Sequence, residues 1–249
     1  MNALGGFLDS TLVALDPVER FKRCMGLVPD PWAVDFLTTR SEFVLLHASR
    51  QVGKSSAASI VIYDELVRGG FVLATAPTER QAKELGRKVT FALEHDASAP
   101  RLLKGTQTEL EIAGGGRFVV LPATGSNIRG YSSASLLVFD EAGYLEDDTV
   151  TSLMPSRADS GRIVMCTTPG PRADCIFRQL WLKGDVHRVE ARSEDLPRMR
   201  RRVEFDRKHM PGIKFRVEHQ LEWLENVQAF ISHDVIARMA TTEHKAMVL

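Results

Sequence analysis

The chain has 249 residues, 44% of them hydrophobic and 26% charged, enough to bury one large α/β core or a core with a small subdomain. Its 32 basic and 32 acidic residues balance, which excludes a globally basic nucleic-acid coat protein but leaves room for a local phosphate-binding patch. Three cysteines without paired spacing (Cys24, Cys166, Cys175) read as reduced buried thiols of a cytosolic protein, the first residues lack a signal-peptide pattern, and no apolar run nears the roughly 20 residues of a membrane span.

In chain order, residues 16–25 read as a helix followed by a proline-containing loop. Phe43-Val44-Leu45-Leu46 reads as a buried strand. A glycine-containing loop leads into a helix that stops at Gly69-Gly70. Phe71–Ala76 is a second buried strand, and Thr78 with Gln81 forms a capping box opening a helix to about Glu94. Residues 110–121 read as a hairpin. Leu136–Phe139 and Ile163–Cys166 are further buried strands, and 186–191 is a fifth. Near-continuous apolar strands separated by helices predict a mostly parallel sheet covered on both faces. Beyond about Asp195 charged helical sequence takes over, which predicts a separate helical subdomain anchored by Trp181 and Trp223.

The segment from Ala48 to Ser55 lies between a strand and a helix, the context a phosphate loop requires. Backbone N–H groups and the helix N-terminus favour phosphate there; Lys54 is placed to reach β/γ-phosphate oxygens and Ser55 to hold Mg²⁺. Ala48 stands where the strict pattern has glycine. Arg50 suits either phosphate sensing or bracing of the loop.

The strand Leu136–Phe139 ends in Asp140-Glu141, 85 residues beyond Ser55 (140 − 55). Ligand sites in such sheets lie at the carboxyl ends of strands. Asp140 is assigned to Mg²⁺ and Glu141 to polarising the attacking water, because phosphoryl transfer to water needs a positioned nucleophile. The adjacent glutamate argues against a small-molecule kinase. His47, His187 and His219 have no ligand-like spacing. The run from Arg198 to Lys208 holds six basic and two acidic residues and suits either a DNA-backbone or subunit contact or a solvated helix face.

Ser49-Arg50-Gln51-Val52-Gly53-Lys54-Ser55 resembles the variant phosphate loop of the large subunits of viral DNA-packaging terminases. Asp140-Glu141 is similar to that family's second ATPase motif, and Thr167-Thr168-Pro169 to its coupling motif. Asn127-Ile128-Arg129-Gly130 resembles the segment with its arginine finger. Ala74–Thr78 with Gln81-Ala82 is similar to a strand–helix unit shared with superfamily 2 helicases, and Pro31-Trp32 to the adenine-side motif, with Ala33 where that motif often has glutamine. The resemblance spans roughly residues 29–232.

The resemblance implies an α/β P-loop ATPase fold of the additional-strand, catalytic-glutamate (RecA-like) kind, with an ATPase core over residues 1–194 and a helical lid or linker over 195–249. It implies ATP and Mg²⁺ as cofactors. Catalytic roles fall on Lys54, Glu141, Arg129 and Thr168, nucleotide contacts on Trp32, Ser49, Arg50, Gln51, Val52, Gly53, Lys54, Ser55, Ser56 and Asp140, and Mg²⁺ on Ser55 and Asp140. The implied partners are double-stranded DNA, further copies of the chain in a homopentameric ring, the viral portal and the small terminase subunit. The implied setting is the host cytoplasm, docked on the procapsid. No nuclease domain is expected within this chain. A superfamily 2 helicase needs a second motor lobe, and a nucleotide-regulated binding module would not need the Asp140-Glu141 pair.

Overall fold

The structure, a computed structural model, describes residues 16–124 and 130–224. Eight strands form one sheet in the order β3-β4-β5-β2-β6-β7-β1-β8. The strands are β1 (Phe43–Ala48), β2 (Phe71–Ala76), β3 (Leu102–Gly105), β4 (Glu109–Ile112), β5 (Arg117–Pro122), β6 (Ala134–Asp140), β7 (Arg157–Thr167) and β8 (His187–Ala191). From β5 to β8 every neighbouring pair is parallel, whereas β3–β4 and β4–β5 are antiparallel and extend one edge. The expected α/β class with a mostly parallel sheet is therefore observed.

The two-residue period of a strand sends alternate side chains to opposite faces. Val44, Leu46, Val72, Ala74, Leu136, Val138 and Val164 join one hydrophobic cluster, and Leu45, Leu73, Leu137, Phe139, Ile163 and Met165 join the other. Both faces are covered, so these strands read as unbroken apolar runs. The first face carries α1 (Pro17–Met25), α2 (Pro31–Thr38), α3 (Lys54–Val67) and α4 (Glu79–Glu94); the second carries α5 (Asp147–Leu153) and α6 (Ile176–Lys183). Arg20 of α1 is buried against Asp64 of α3 and, at 4.0 Å, Asp96 after α4, with its guanidinium over the Tyr63 ring. This charge network fixes α1 to its two neighbours.

Beyond β8 come α7 (Arg200–His209) and α8 (Gly212–Gln220). Leu196, Met199, Val203 and Phe215 from this region enter the same hydrophobic cluster as the sheet. Trp181 and Trp223 do not anchor the helical region, as their sequence positions suggested. Both pack on the second sheet face beside His47 and Phe177. Other elements escape the sequence reading in whole or in part. Helix α2 starts on Pro31 after an Asp30 N-cap, α5 and α6 cover the second face, β3 is an exposed strand, and β7 begins at Arg157, well ahead of its apolar stretch. All three cysteines are free and buried. Among the described residues no helix is long and apolar enough to cross a membrane.

Gly86 lies inside α4, where glycine ordinarily costs about 1 kcal/mol relative to alanine. Here a Cβ would collide with the Gln107 carbonyl oxygen, a backbone atom that cannot rotate away. Overpacking against backbone outweighs the propensity gain, so Gly86→Ala should destabilise the fold by about 1–3 kcal/mol in denaturant titration. An unchanged or raised midpoint would show that α4 does not seat on the β3–β4 turn this closely.

Candidate active site

The parallel strands bring their carboxyl ends to one edge, and the sequence motifs meet there. In register, His47 of β1 faces Thr167 of β7, and Asp140 of β6 faces Cys166. Ala48 is the last residue of β1, paired with Ala191, so it is still in extended backbone and needs none of glycine's freedom. The turn that follows places Gln51 (φ 64°) and Gly53 (φ 99°) in the left-handed region, and α3 begins at Lys54. Ser55 and Ser56 follow in the first helical turn, where backbone N–H groups lack intrahelical partners.

Lys54 is buried, and its Nζ donates to Glu141 Oε1 at 2.7 Å. The other carboxylate oxygen accepts from the Thr168 amide at 3.4 Å and from Thr168 Oγ1 at 3.3 Å. Glu141 thus bridges the phosphate loop and the end of β7. Its own backbone is in the left-handed region (φ 52°), a conformation that costs a residue with a Cβ about 1–2 kcal/mol. The turn after it is tied to β7: Thr167 Oγ1 accepts from the Gly143 amide at 3.0 Å, and the Tyr144 hydroxyl donates to Pro169 O at 3.1 Å.

Asp140 is buried, and its Oδ1 has no hydrogen-bond partner among the described residues. Burial, and next the Glu141 carboxylate, push its carboxyl up to about 6. A buried, orphaned carboxylate oxygen beside a phosphate loop fits a divalent cation. Mg²⁺ characteristically takes one or two protein oxygens and completes its shell with substrate phosphates and water, so Asp140 and the Ser55 hydroxyl are an adequate protein donor set. Consistent with that sparse set, no cluster of three or more His, Cys, Asp or Glu side chains arranged for a metal occurs among the described residues.

The C-terminal region grips the phosphate loop from the other side. Ser49 Oγ donates to His219 O at 2.9 Å and accepts from the Ser193 amide at 3.0 Å, while its own amide donates to Ala191 O. Arg50 reaches Glu218 Oε1 at 2.9 Å and also bonds through its backbone to Glu218 O. Of the two roles open to Arg50, bracing is the one its contacts express. Arg198 donates to Val52 O at 2.6 Å and to Asp30 Oδ2 at 2.6 Å. Three of the other five basic residues of the run are paired, Arg200 with Glu204 and Arg202 with Asp206 along the helix and Arg207 with Glu194 ahead of it. That pairing neutralises part of the run.

Beside the loop lies a cleft of ≈ 280 Å³, lined by Phe21, Met25, Trp32, Gln51, Ser56 and Arg198 among others. Trp32 presents its ring there and donates Nε1–H to Asp30 at 3.2 Å. The cleft is largely apolar and adjoins the helix start, the place for a nucleobase attached to loop-bound phosphates. Arg129 lies outside the described residues. The sequence reading missed Asp30 and Arg198 as cleft residues; an aspartate N-cap ahead of Pro31-Trp32 was the available signal for the first, and the second was hidden within a basic run.

Comparison with solved structures finds this arrangement elsewhere. The ATPase domain of the large terminase of Thermus phage P74-26 superposes with a TM-score of 0.70, covering 84% of this chain and 99% of that one at 20% identity. The large terminase of bacteriophage HK97 gives 0.63 over 82% of this chain and 55% of its own length, at 14% identity. The fold is that of a large-terminase ATPase domain. A large terminase from a thermophilic bacteriophage, in complex with ADP, matches at 0.57 and 13% identity over 78% of this chain and 53% of that chain. This chain therefore spans about half the length of those two whole proteins. No family model and no curated protein matches the sequence.

A second buried group at this edge of the sheet, His47, is also shifted from its ordinary titration. Both ring nitrogens of buried His47 lack partners among the described residues, and burial, then Lys54 and Arg192, push the imidazole down to about 3. The folded state holds it neutral, while the unfolded chain takes up a proton near pH 6.5. Its contribution to stability is present above about pH 6.5 and is lost as pH falls towards 3. We expect His47→Phe to show a shallower loss of denaturation midpoint between pH 6.5 and 4 than wild type. Parallel curves for the two proteins would mean that the imidazole is protonated or paired in the folded state.

Proposed function

We propose that this chain is the motor domain of a viral DNA-packaging terminase large subunit and that it hydrolyses ATP to translocate double-stranded DNA. The observation that carries this reading is the 2.7 Å contact between Lys54 and Glu141 at the carboxyl edge of the sheet. A phosphate-loop lysine and a glutamate after the acidic strand are within one hydrogen bond of each other. A triphosphate in the loop competes for Lys54, and the carboxylate it releases can orient a water for in-line attack on the γ-phosphorus. Asp140 and Ser55 would hold Mg²⁺, which would supply neutralisation of the phosphate charge. Thr168, already bonded to Glu141, relays the state of that carboxylate to β7. Gln51, Val52, Gly53 and Ser56 contact the nucleotide from the loop and Trp32 packs beside the base, while Ser49 and Arg50 act by bracing the loop.

The finer assignments rest on the family resemblance. Arg129 serves as an arginine finger, in its own site or a neighbour's. Residues 195–249 act as a lid, supported by the bonds from Ser49 to His219 and from Val52 to Arg198. The chain works in a homopentameric ring with the portal and the small terminase subunit, on the procapsid in the host cytoplasm. The terminase of the thermophilic phage, solved both with ADP and with ATP-γ-S, supports nucleotide binding.

Phosphate release measured with and without duplex DNA tests the reading. Lys54→Ala should abolish turnover and weaken nucleotide binding. Glu141→Gln should keep Mg-nucleotide affinity and lose about 10²-fold or more in kcat, the usual worth of a positioned base. Arg129→Ala should keep affinity and lose most turnover. Wild-type rates in Lys54→Ala would sink the phosphate-loop assignment.

The elevated Asp140 carboxyl sets a pH dependence. The cation binds the ionised form, so Mg²⁺-dependent nucleotide affinity should plateau above pH 6 and weaken by up to about tenfold per unit below it. Titrations at pH 7.5 and 5.0 measure this. An equal slope in Asp140→Asn would assign the effect to the nucleotide rather than to Asp140.

A further inference from the structure

Trp223 follows α8, after Leu221 turns the chain through a left-handed conformation (φ 61°). Its ring lies at the junction of the two elements that carry the candidate chemistry. On one side it stacks on His47, ring centroids 5.7 Å apart and planes at 29°, seven residues before Lys54 (54 − 47). On the other it closes over the turn behind Glu141: a Cβ placed on Gly143 would lie 2.9 Å from Trp223 Cη2, 2.9 Å from Thr167 Oγ1 and 3.2 Å from the Gly170 amide. Position 143 therefore admits no side chain while the indole is seated. Phe177 packs on the same ring at 6.2 Å.

From this contact a short bonded path runs to the carboxylate. The Gly143 amide donates to Thr167 Oγ1, that hydroxyl donates to Thr168 O at 2.6 Å, and Thr168 donates twice to Glu141. We propose that Trp223 is a positioning residue for hydrolysis: its ring clamps the Gly143 turn onto β7 and so holds Glu141 in its left-handed backbone, without touching nucleotide. The proposal rests on the hydrolase reading above. The strain at Glu141 gives the clamp a task, because an unsupported left-handed glutamate relaxes toward ordinary backbone and carries its carboxylate away from Lys54. The clamp comes from the chain just after α8, the helix that also bonds Ser49 and Arg50. Displacement of that segment therefore acts on the phosphate loop and the glutamate turn together.

The test compares wild type with Trp223→Ala, Trp223→Leu and Trp223→Phe in steady-state ATP hydrolysis, nucleotide affinity and thermal melting. We expect the alanine and leucine variants to lose about tenfold or more in kcat with nucleotide affinity within about threefold of wild type, and phenylalanine to recover most of the rate. The leucine variant keeps apolar bulk and covers the case in which alanine does not fold. Folded alanine and leucine variants with wild-type kcat, or with rate and affinity reduced alike, overturn the assignment. A wild-type chain that neither binds nor hydrolyses ATP defeats the hydrolase reading first, and this inference falls with it.

Discussion

An ammonium and a carboxylate in a site largely closed to water hold the chemical edge of this molecule in one piece. Lys54 belongs to the first turn of α3, Glu141 to the turn after β6, and no secondary structure joins the two. A charge left without its partner here is costly, though less so than the about 3–5 kcal/mol of a fully buried pair, because the Glu141 side chain is 22% exposed. The pair therefore constrains both loops. Each must deliver its group to the same few ångströms, and the sheet makes this possible because β1 and β6 run parallel and end at the same level, one on each side of β7.

The C-terminal region is bound to this edge rather than appended to it. Ser49, Arg50 and Val52 each make a hydrogen bond to residues more than 140 positions further along the chain. The phosphate loop consequently has two supports, the sheet beneath and α8 with the segment before α7 above. Whatever the loop holds, its shape depends on that second support, which offers a physical route between nucleotide state and the end of the chain.

The strands were legible because burial on both faces leaves unbroken apolar runs, as in Leu136–Phe139. The candidate site was legible because its residues cluster at strand ends, a rule of topology rather than of sequence spacing. What escaped depends on distant partners or lacks an apolar signature. Strand β3, Leu-Leu-Lys-Gly, is exposed throughout and is a strand only because β4 is beside it. Trp223 read as part of a helical unit because its sequence neighbours are charged, yet its ring partners, His47 and Phe177, come from elsewhere in the chain. The role of Ser49 is equally invisible, since its acceptor is a carbonyl of α8. Alanine at position 48 looked like a defect in a glycine pattern, and paired in register with Ala191 it is an ordinary strand residue.

The left-handed backbone at Glu141 also shapes which sequences selection can explore. Glycine, or asparagine to a lesser degree, adopts that conformation more readily than glutamate and would relieve local strain. Neither can supply a carboxylate to Lys54. Aspartate would ease the backbone and keep an acid, but its side chain is one methylene shorter and draws the carboxylate back from Lys54, so each substitution that relieves the strain weakens or removes that contact. Variants drifting without selection for turnover have a downhill route open here, while a lineage that must turn over its nucleotide has to hold an acidic residue in a conformation its own backbone resists. Retention of glutamate at this turn in a diverged copy would accordingly mark a working site more reliably than any residue of the core, whose apolar positions tolerate exchange among similar shapes.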